Sequence, residues 1–276
     1  QMKTNIEIIH PLPPETYISH ALFDFNGTFS LIREGWQEIM IPMMVDLLMQ
    51  TPEHEEEAEV TRVVKEYVTQ LTGKQTIYLM MQLAEEINKR GGTAESPDVY
   101  KDIYQTKLLE RIQYRREGLR NGNIRPEEYL IPGSVEILQA LKSRGVKCYL
   151  ASEMDEKYVL EDADLLQLTP YFDEIHGTLD DYVKVSKKMI IKEIILDNNL
   201  TGPEFAGTGD GFVEIENTKA VNGIAIGVAP DEKDHTKVDP WKRERLIQAG
   251  ADLIIPNFTD TGGLIDLLFQ GKSKIF

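Results

Sequence analysis

The run Ile18-Ser19-His20-Ala21-Leu22-Phe23-Asp24-Phe25-Asn26-Gly27-Thr28 decides how this chain is read. Ile18 to Phe23 is a short apolar run and reads as a buried strand. A carboxylate, Asp24, then stands at its end, and Gly27 and Thr28 follow as turn residues. Taken alone, an Asp after a strand is a common turn cap. What lies on either side gives it another meaning.

Downstream of Asp24, from about Trp36 to about Glu128, the apolar spacing is helical. Trp36, Met40, Met43, Met44 and Leu47 recur at three- and four-residue steps. Val60, Val63, Val64 and Tyr67 do the same, as do Ile77, Met80, Met81, Leu83 and Ala84,. Thr72-Gly73-Lys74-Gln75-Thr76 interrupts two of these helices. A further helix runs through Tyr104, Leu108, Leu109, Ile112 and Tyr114 to the turn Asn121-Gly122-Asn123,. No strand stands out in this block, so it reads as an all-helical insert with Met40-Ile41-Pro42-Met43-Met44 in its core.

After Pro132-Gly133 strand and helix patterns alternate. Strands are expected at Val146–Leu150, Glu174–His176, Glu204–Ala206, Ile224–Val228 and Leu253–Ile255, with helices between and after them,. This alternation predicts an α/β fold: a Rossmann-like parallel sheet with helices on both faces, joined by the strand that ends at Asp24. The expected division is 1–33 and 129–276 for the core, with 34–128 as the inserted helical domain.

Ligands in such sheets bind at the carboxyl ends of the strands. Asp24, Asn26 and Thr28 follow the first strand, Ser152 and Glu153 the second, and Thr208-Gly209-Asp210-Gly211 the fourth. If those strands are neighbours, their ends share one crevice. Asp24 and Asp210 could supply carboxylate oxygens to a hard cation such as magnesium, which prefers oxygen and keeps several waters. A carboxylate beside such a cation can attack phosphorus. Ser152 and Lys187 would hold phosphoryl oxygens, and Gly27 and Gly211 would admit backbone N–H groups to the ligand. By itself Ser152 reads equally as a helix N-cap.

Composition narrows the partners. The chain has 276 residues, 41% of them hydrophobic, enough for one large or two modest domains,. Its formal charge is −16, which disfavours nucleic acid and anionic membrane as partners. A phosphate ester would then need a local positive site. The one cysteine, Cys148, sits in an apolar run; a disulfide framework is excluded, which fits a reducing, cytoplasmic setting,. No apolar stretch reaches the roughly 18 residues of a membrane span. The five histidines are scattered without metal-ligand spacing,. The acidic run Glu53–Glu57 reads as a solvated helix start.

Phe23-Asp24-Phe25-Asn26-Gly27-Thr28 resembles the first motif of the haloacid dehalogenase superfamily, whose pattern is apolar-Asp-x-Asp-Gly-Thr. Ser152 resembles its second motif, and Gly209-Asp210-Gly211-Phe212-Val213-Glu214 its fourth. The order fits along nearly the whole chain, and the helical block sits where the superfamily carries a helical C1-type cap, as in enzymes like phosphoglycolate phosphatase and β-phosphoglucomutase. The resemblance implies a magnesium-dependent phosphatase acting on a small phosphorylated metabolite such as a sugar phosphate, as a monomer or homodimer. Asp24 would be the nucleophile and a metal ligand, the backbone carbonyl of Asn26 and the Asp210 carboxylate further ligands, and Glu214 a support for the metal's water shell. Thr28 and Ser152 would contact the phosphoryl group. The third-motif lysine has three candidates, Lys184, Lys187 and Lys188, of which Lys187 at a helix start is chosen. Arg33, Lys74 and Gln75 are candidate substrate-reading residues of the cap.

Asn26 departs from the pattern, which places there an Asp that protonates the leaving oxygen and later activates water. An amide cannot trade a proton near neutral pH. Three readings follow: an introduced change that traps a complex; a natural loss, leaving a weak enzyme or a phosphate-ester binder; or a chemistry that needs no acid there, such as carbon–phosphorus cleavage through a Schiff base on a cap lysine, with Lys74 the candidate.

Overall fold

β-branched and aromatic runs too short for helices pair into one sheet of seven strands,. The computed structural model describes residues 4–179 and 186–272. In chain order the strands are β1 (Glu7–Ile8), β2 (His20–Phe23), β3 (Lys147–Asp155), β4 (Glu174–Thr178), β5 (Phe205–Gly209), β6 (Ile224–Val228) and β7 (Leu253–Ile255). Helices α1 (Gln37–Leu48), α2 (Glu57–Leu71), α3 (Thr76–Lys89), α4 (Pro97–Asn121) and α5 (Ser134–Ser143) lie between β2 and β3. Each later strand is followed by one helix: α6 (Glu156–Leu165), α7 (Lys187–Asp197), α8 (Phe212–Ala220), α9 (Pro240–Ala249) and α10 (Thr261–Leu268).

The spatial order is β1-β7-β6-β5-β2-β3-β4. From β2 the sheet grows outward through β3 and β4, then the chain crosses back and grows the other way through β5, β6 and β7. The strand order therefore reverses beside β2, and such a reversal opens a crevice at the strands' carboxyl ends. All pairs are parallel except β1 with β7, where Glu7 meets Ile254 and Ile8 meets Leu253 in antiparallel register. The all-parallel expectation is corrected at this edge, where two residues are too few to show a periodicity.

Side chains on β2 alternate between the two faces. Leu22 packs with Tyr149, Ala151 and Phe205 under Ile190, Ile191 and Ile194 of α7. Ala21 and Phe23 turn the other way, beside Ile137, Leu141, Leu264 and Leu268 of α5 and α10. Each such large side chain contributes roughly 1.5–3 kcal/mol on burial. The alternation matters for the residue after the strand: Asp24 follows Leu22 onto the α7 side.

Backbone contacts divide the chain into two compact units, Gln1–Ile32 with Gly118–Phe276, and Arg33–Glu117. The periodicity placed the return to the core at residue 129; the contacts place it at 118, inside the last turn of α4. In the helical unit α1, α2 and α3 pack on one another. Met40, Met43 and Met44 are buried there, and the Tyr67 hydroxyl donates to Met44 Sδ at 3.1 Å. The acidic run Glu53–Glu57 is exposed and leads into α2 as expected, with Glu55 taking two hydrogen bonds from the guanidinium of Arg90, at 2.7 and 3.0 Å, and Arg90 also binding Glu86. No helix among the described residues is long and apolar enough to cross a membrane.

Candidate active site

Strand register brings the motif residues level. Phe23 pairs with Leu150 on one side and Thr208 on the other, and the Asp24 N–H continues the ladder by donating to the Thr208 carbonyl at 2.9 Å. On the α7 side Asp24 meets Lys187, the first residue of that helix. Ser186 before it accepts from the Met189 N–H at 3.3 Å and caps the helix,. This start fixes where the lysine leaves the backbone.

Lys187 Nζ donates to Asp24 Oδ1 at 2.9 Å, contacts Glu214 Oε1, and lies 3.6 Å from Glu153 Oε1. Lys187 is 4% exposed and Glu214 1%, so little water screens these attractions. Burial pulls the ammonium's pKa down, but the charges of Asp24 and Glu153 outweigh it and the net direction is up; Lys187 is a firm cation. The Glu153 carboxyl is raised, first by burial and then by the Asp24 charge, against the pull of Lys187,. Glu214 reaches this cluster because β5 has no side chain at Gly209: a Cβ there would come within 2.7 Å of Glu214 Oε2.

On the other side of Asp24 stands Asp210, close enough to feel the Asp24 charge. Burial first, and the Asp24 charge second, push the Asp210 carboxyl up to about 8. Gly27 takes a left-handed turn with φ +78, and a Cβ on it would overlap Asp210 Oδ2. The missing side chain at residue 27 is therefore the space the Asp210 carboxylate occupies. Two carboxyls this close cannot both ionise unless a positive charge joins them. That donor set suits a hard cation: two carboxylate oxygens with the Asn26 carbonyl, waters filling the rest. Among the described residues no group of three or more His, Cys, Asp or Glu side chains is placed to hold a metal.

The remaining expected residues fall as follows. Asn26 is half-buried; its Nδ2 donates weakly to Met154 Sδ at 3.6 Å, and its Oδ1 has no hydrogen-bond partner. Thr28 is buried with an unpartnered hydroxyl. Ser152 lies within β3, and its Oγ accepts from the Met154 N–H at 3.2 Å. The helix-cap reading of Ser152 fails, because β3 runs on to Asp155 before α6 starts. Gly211 is the residue before α8. Lys188 is exposed, and Lys184 lies outside the described residues. Arg33, Lys74 and Gln75 belong to the helical unit: Arg33 is buried near Tyr104, Lys74 is exposed in the turn between α2 and α3, and Gln75 is buried just before α3. Cys148 is a buried strand residue whose thiol burial pushes up to about 12.

Sequence reasoning placed Glu153 at a strand end but gave it no role, and missed Met154, Lys242 and Arg245. Lys242 opposes the upward shift of Asp210, and Arg245 feels the same carboxylate while its guanidinium stacks 4.7 Å from the Trp241 ring centre and 5.2 Å from that of Phe212. The one signal for Glu153 was its place next to Ser152; for the two α9 cations there was none.

Known proteins share this fold. The fold is similar to the crystal structure of a predicted phosphatase from Clostridium acetobutylicum, with a TM-score of 0.57 and 18% identity over 91% of this chain and 99% of that one. It is similar to a predicted phosphoglycolate phosphatase from Haemophilus somnus 129pt, with a TM-score of 0.58 and 18% identity over 90% and 97%. A β-phosphoglucomutase from Clostridium difficile gives a TM-score of 0.53 and 17% identity over 84% and 98%. At such identities the likeness speaks for the fold alone. No curated protein matches the sequence. The sequence model of the haloacid dehalogenase-like hydrolases does match, over residues 18–221. That span runs from the start of the Asp24 strand, through the helical unit, past Asp210 and Glu214, and on it the chain belongs to the haloacid dehalogenase-like hydrolases.

Proposed function

We propose that the chain is a magnesium-dependent phosphomonoester hydrolase that works through a phosphorylated Asp24, on a small phosphorylated metabolite such as a sugar phosphate. The observation that carries this is the setting of Asp24: one carboxylate held between the buried ammonium of Lys187 and the carboxyl of Asp210. Lys187 holds Oδ1, which orients the carboxylate for attack on phosphorus. The Thr28 and Ser152 hydroxyls and the Lys187 ammonium are the donors for phosphoryl oxygens in a chain that is otherwise strongly acidic. Glu214 acts through Lys187, holding its ammonium at Asp24. Asp24, Asp210 and the Asn26 carbonyl would hold magnesium, which when bound offsets the negative charge that opposes attack by a carboxylate on a phosphoryl group. Arg33, Lys74 and Gln75 are the candidate substrate-reading residues of the helical unit.

Asn26 itself cannot protonate the leaving oxygen or activate water, so turnover is slower than it would be with an Asp at that position. Loss of such a group removes about 10²- to 10⁴-fold of rate. The test is a screen of phosphate esters with magnesium, on the protein and on Asn26→Asp. The substitution is expected to raise turnover by at least about a hundredfold. If neither form turns over any ester, the hydrolase reading is wrong. A substrate adduct on Lys74, reduced by borohydride and found by mass spectrometry, would point instead to carbon–phosphorus cleavage.

A further inference from the structure

Four carboxyls meet at the strand ends, and three of them are accounted for. Asp24 is held by Lys187, Asp210 stands against Asp24, and Glu214 is locked on Lys187. Glu153 is the fourth. Its 3.6 Å separation from Lys187 is an ion-pair distance rather than a hydrogen bond,. Its side chain also keeps more exposure than those of Asp24 and Glu214, 20% against 13% and 1%. Its backbone is anchored, since the Glu153 carbonyl accepts from Thr178 Oγ1 at 2.9 Å. Residue 26 lies close by: the Asn26 amide touches Met154, the residue after Glu153.

The geometry points to Glu153 as the proton donor and acceptor of this site, sustaining the turnover that Asn26 cannot support. The inference rests on the hydrolase reading, with Asp24 as nucleophile. Burial and the Asp24 charge both favour the protonated form of Glu153. The groups that face it are Lys187 from α7, which favours the charged form, and Asp24 from β2, which opposes it. A carboxyl raised in this way can give up a proton and, once ionised, take one back,. In the first half-reaction an Asp24 oxygen bonds to phosphorus, the bond from phosphorus to the leaving oxygen breaks, and that oxygen takes the Glu153 proton. In the second, Glu153 takes a proton from water, the water oxygen bonds to phosphorus, and the Asp24–phosphorus bond breaks with its electron pair returning to Asp24. Inorganic phosphate leaves and Glu153 is protonated again.

The test compares Glu153→Gln and Glu153→Asp, each alone and combined with Asn26→Asp, with magnesium and two esters. Phenyl phosphate has a poor leaving group that needs an acid; 4-nitrophenyl phosphate has a good one that does not. Glu153→Gln alone is expected to lower phosphorylation of Asp24 by phenyl phosphate at least about tenfold more than by 4-nitrophenyl phosphate. Glu153→Asp, which keeps a carboxyl, should retain at least about ten times the turnover of Glu153→Gln. Combined with Asn26→Asp, the cost of Glu153→Gln should shrink at least about tenfold, because a carboxyl at residue 26 shares the task. An equal loss for both esters, in both variants, or with and without Asn26→Asp would make Glu153 merely structural and overturn the proposal while Asp24 phosphorylation stands. If no form, Asn26→Asp included, transfers phosphate to Asp24 from either ester, the hydrolase reading falls and this inference with it.

Discussion

Asp24 is flanked on both sides. Lys187 donates to it on one side and Asp210 stands on the other, where burial and the Asp24 charge raise the Asp210 carboxyl,. The space for Asp210 comes from Gly27. Gly27→Ala puts a Cβ where the carboxylate lies and forces a left-handed φ on a residue that resists it,. We expect a stability loss of about 1–3 kcal/mol in urea unfolding, with magnesium affinity weakened because Asp210 is the end that can move. An unchanged unfolding midpoint and unchanged affinity would contradict the packing described. The carboxyl pair also sets a pH dependence. The folded-state pKa of Asp210 lies above its unfolded value of 3.8, at about 8. Across that window the folded protein keeps a proton that the unfolded chain has lost, so in chelator stability falls as pH rises. Glu153, also raised, acts in the same direction. If magnesium binds the ionised pair, as the proposed function has it, it should raise the melting temperature more at pH 8 than at pH 5. An equal gain at both values would mean that Asp24 and Asp210 do not bind it together.

At the scale of elements, the alternation along β2 and β5 turns a sheet into a site. Leu22 and Phe205 face α7, so Asp24 emerges toward Lys187. Phe205 is fully buried at the base of this layer. Phe205→Ala is expected to cost about 3–5 kcal/mol, measured by denaturant unfolding; a loss under about 1 kcal/mol would mean the layer is not the support of the site. Most elements were legible because their apolar runs were long enough to show a period. Strands β6 and β7 fell on the expected Ile224–Val228 and Leu253–Ile255. The two-residue β1 was not legible, since its pairing with β7 is made by the fold and not by local pattern. Nor was the length of β3: Ser152-Glu153-Met154-Asp155 is polar enough to read as a loop, yet the strand runs on through it with a register shift against β4. That extension is what carries Glu153 into the site.

Across the whole molecule, acids outnumber Lys and Arg for a net charge of −16, and the sheet gathers a buried cation, Lys187, at the crevice. The placement of Asp24 and Asp210 at the ends of neighbouring strands was legible because each follows a short strand-like run. The contacts of Lys187 were not, since Asp24, Glu153 and Glu214 reach it from three separate segments that only the sheet order brings together. The division into Arg33–Glu117 and the remainder follows the change from helical to alternating periodicity, with the boundary shifted because α4 is one continuous helix. The most direct measurement on the central claim is covalent. The protein is incubated with a phosphate ester, with and without magnesium, then reduced with borohydride, and the modified residue is located by peptide mass spectrometry. The expected result is reduction at Asp24 alone, only with magnesium, and lost in Asp210→Asn. Label at another residue, or label at Asp24 that ignores both magnesium and Asp210, would contradict the account.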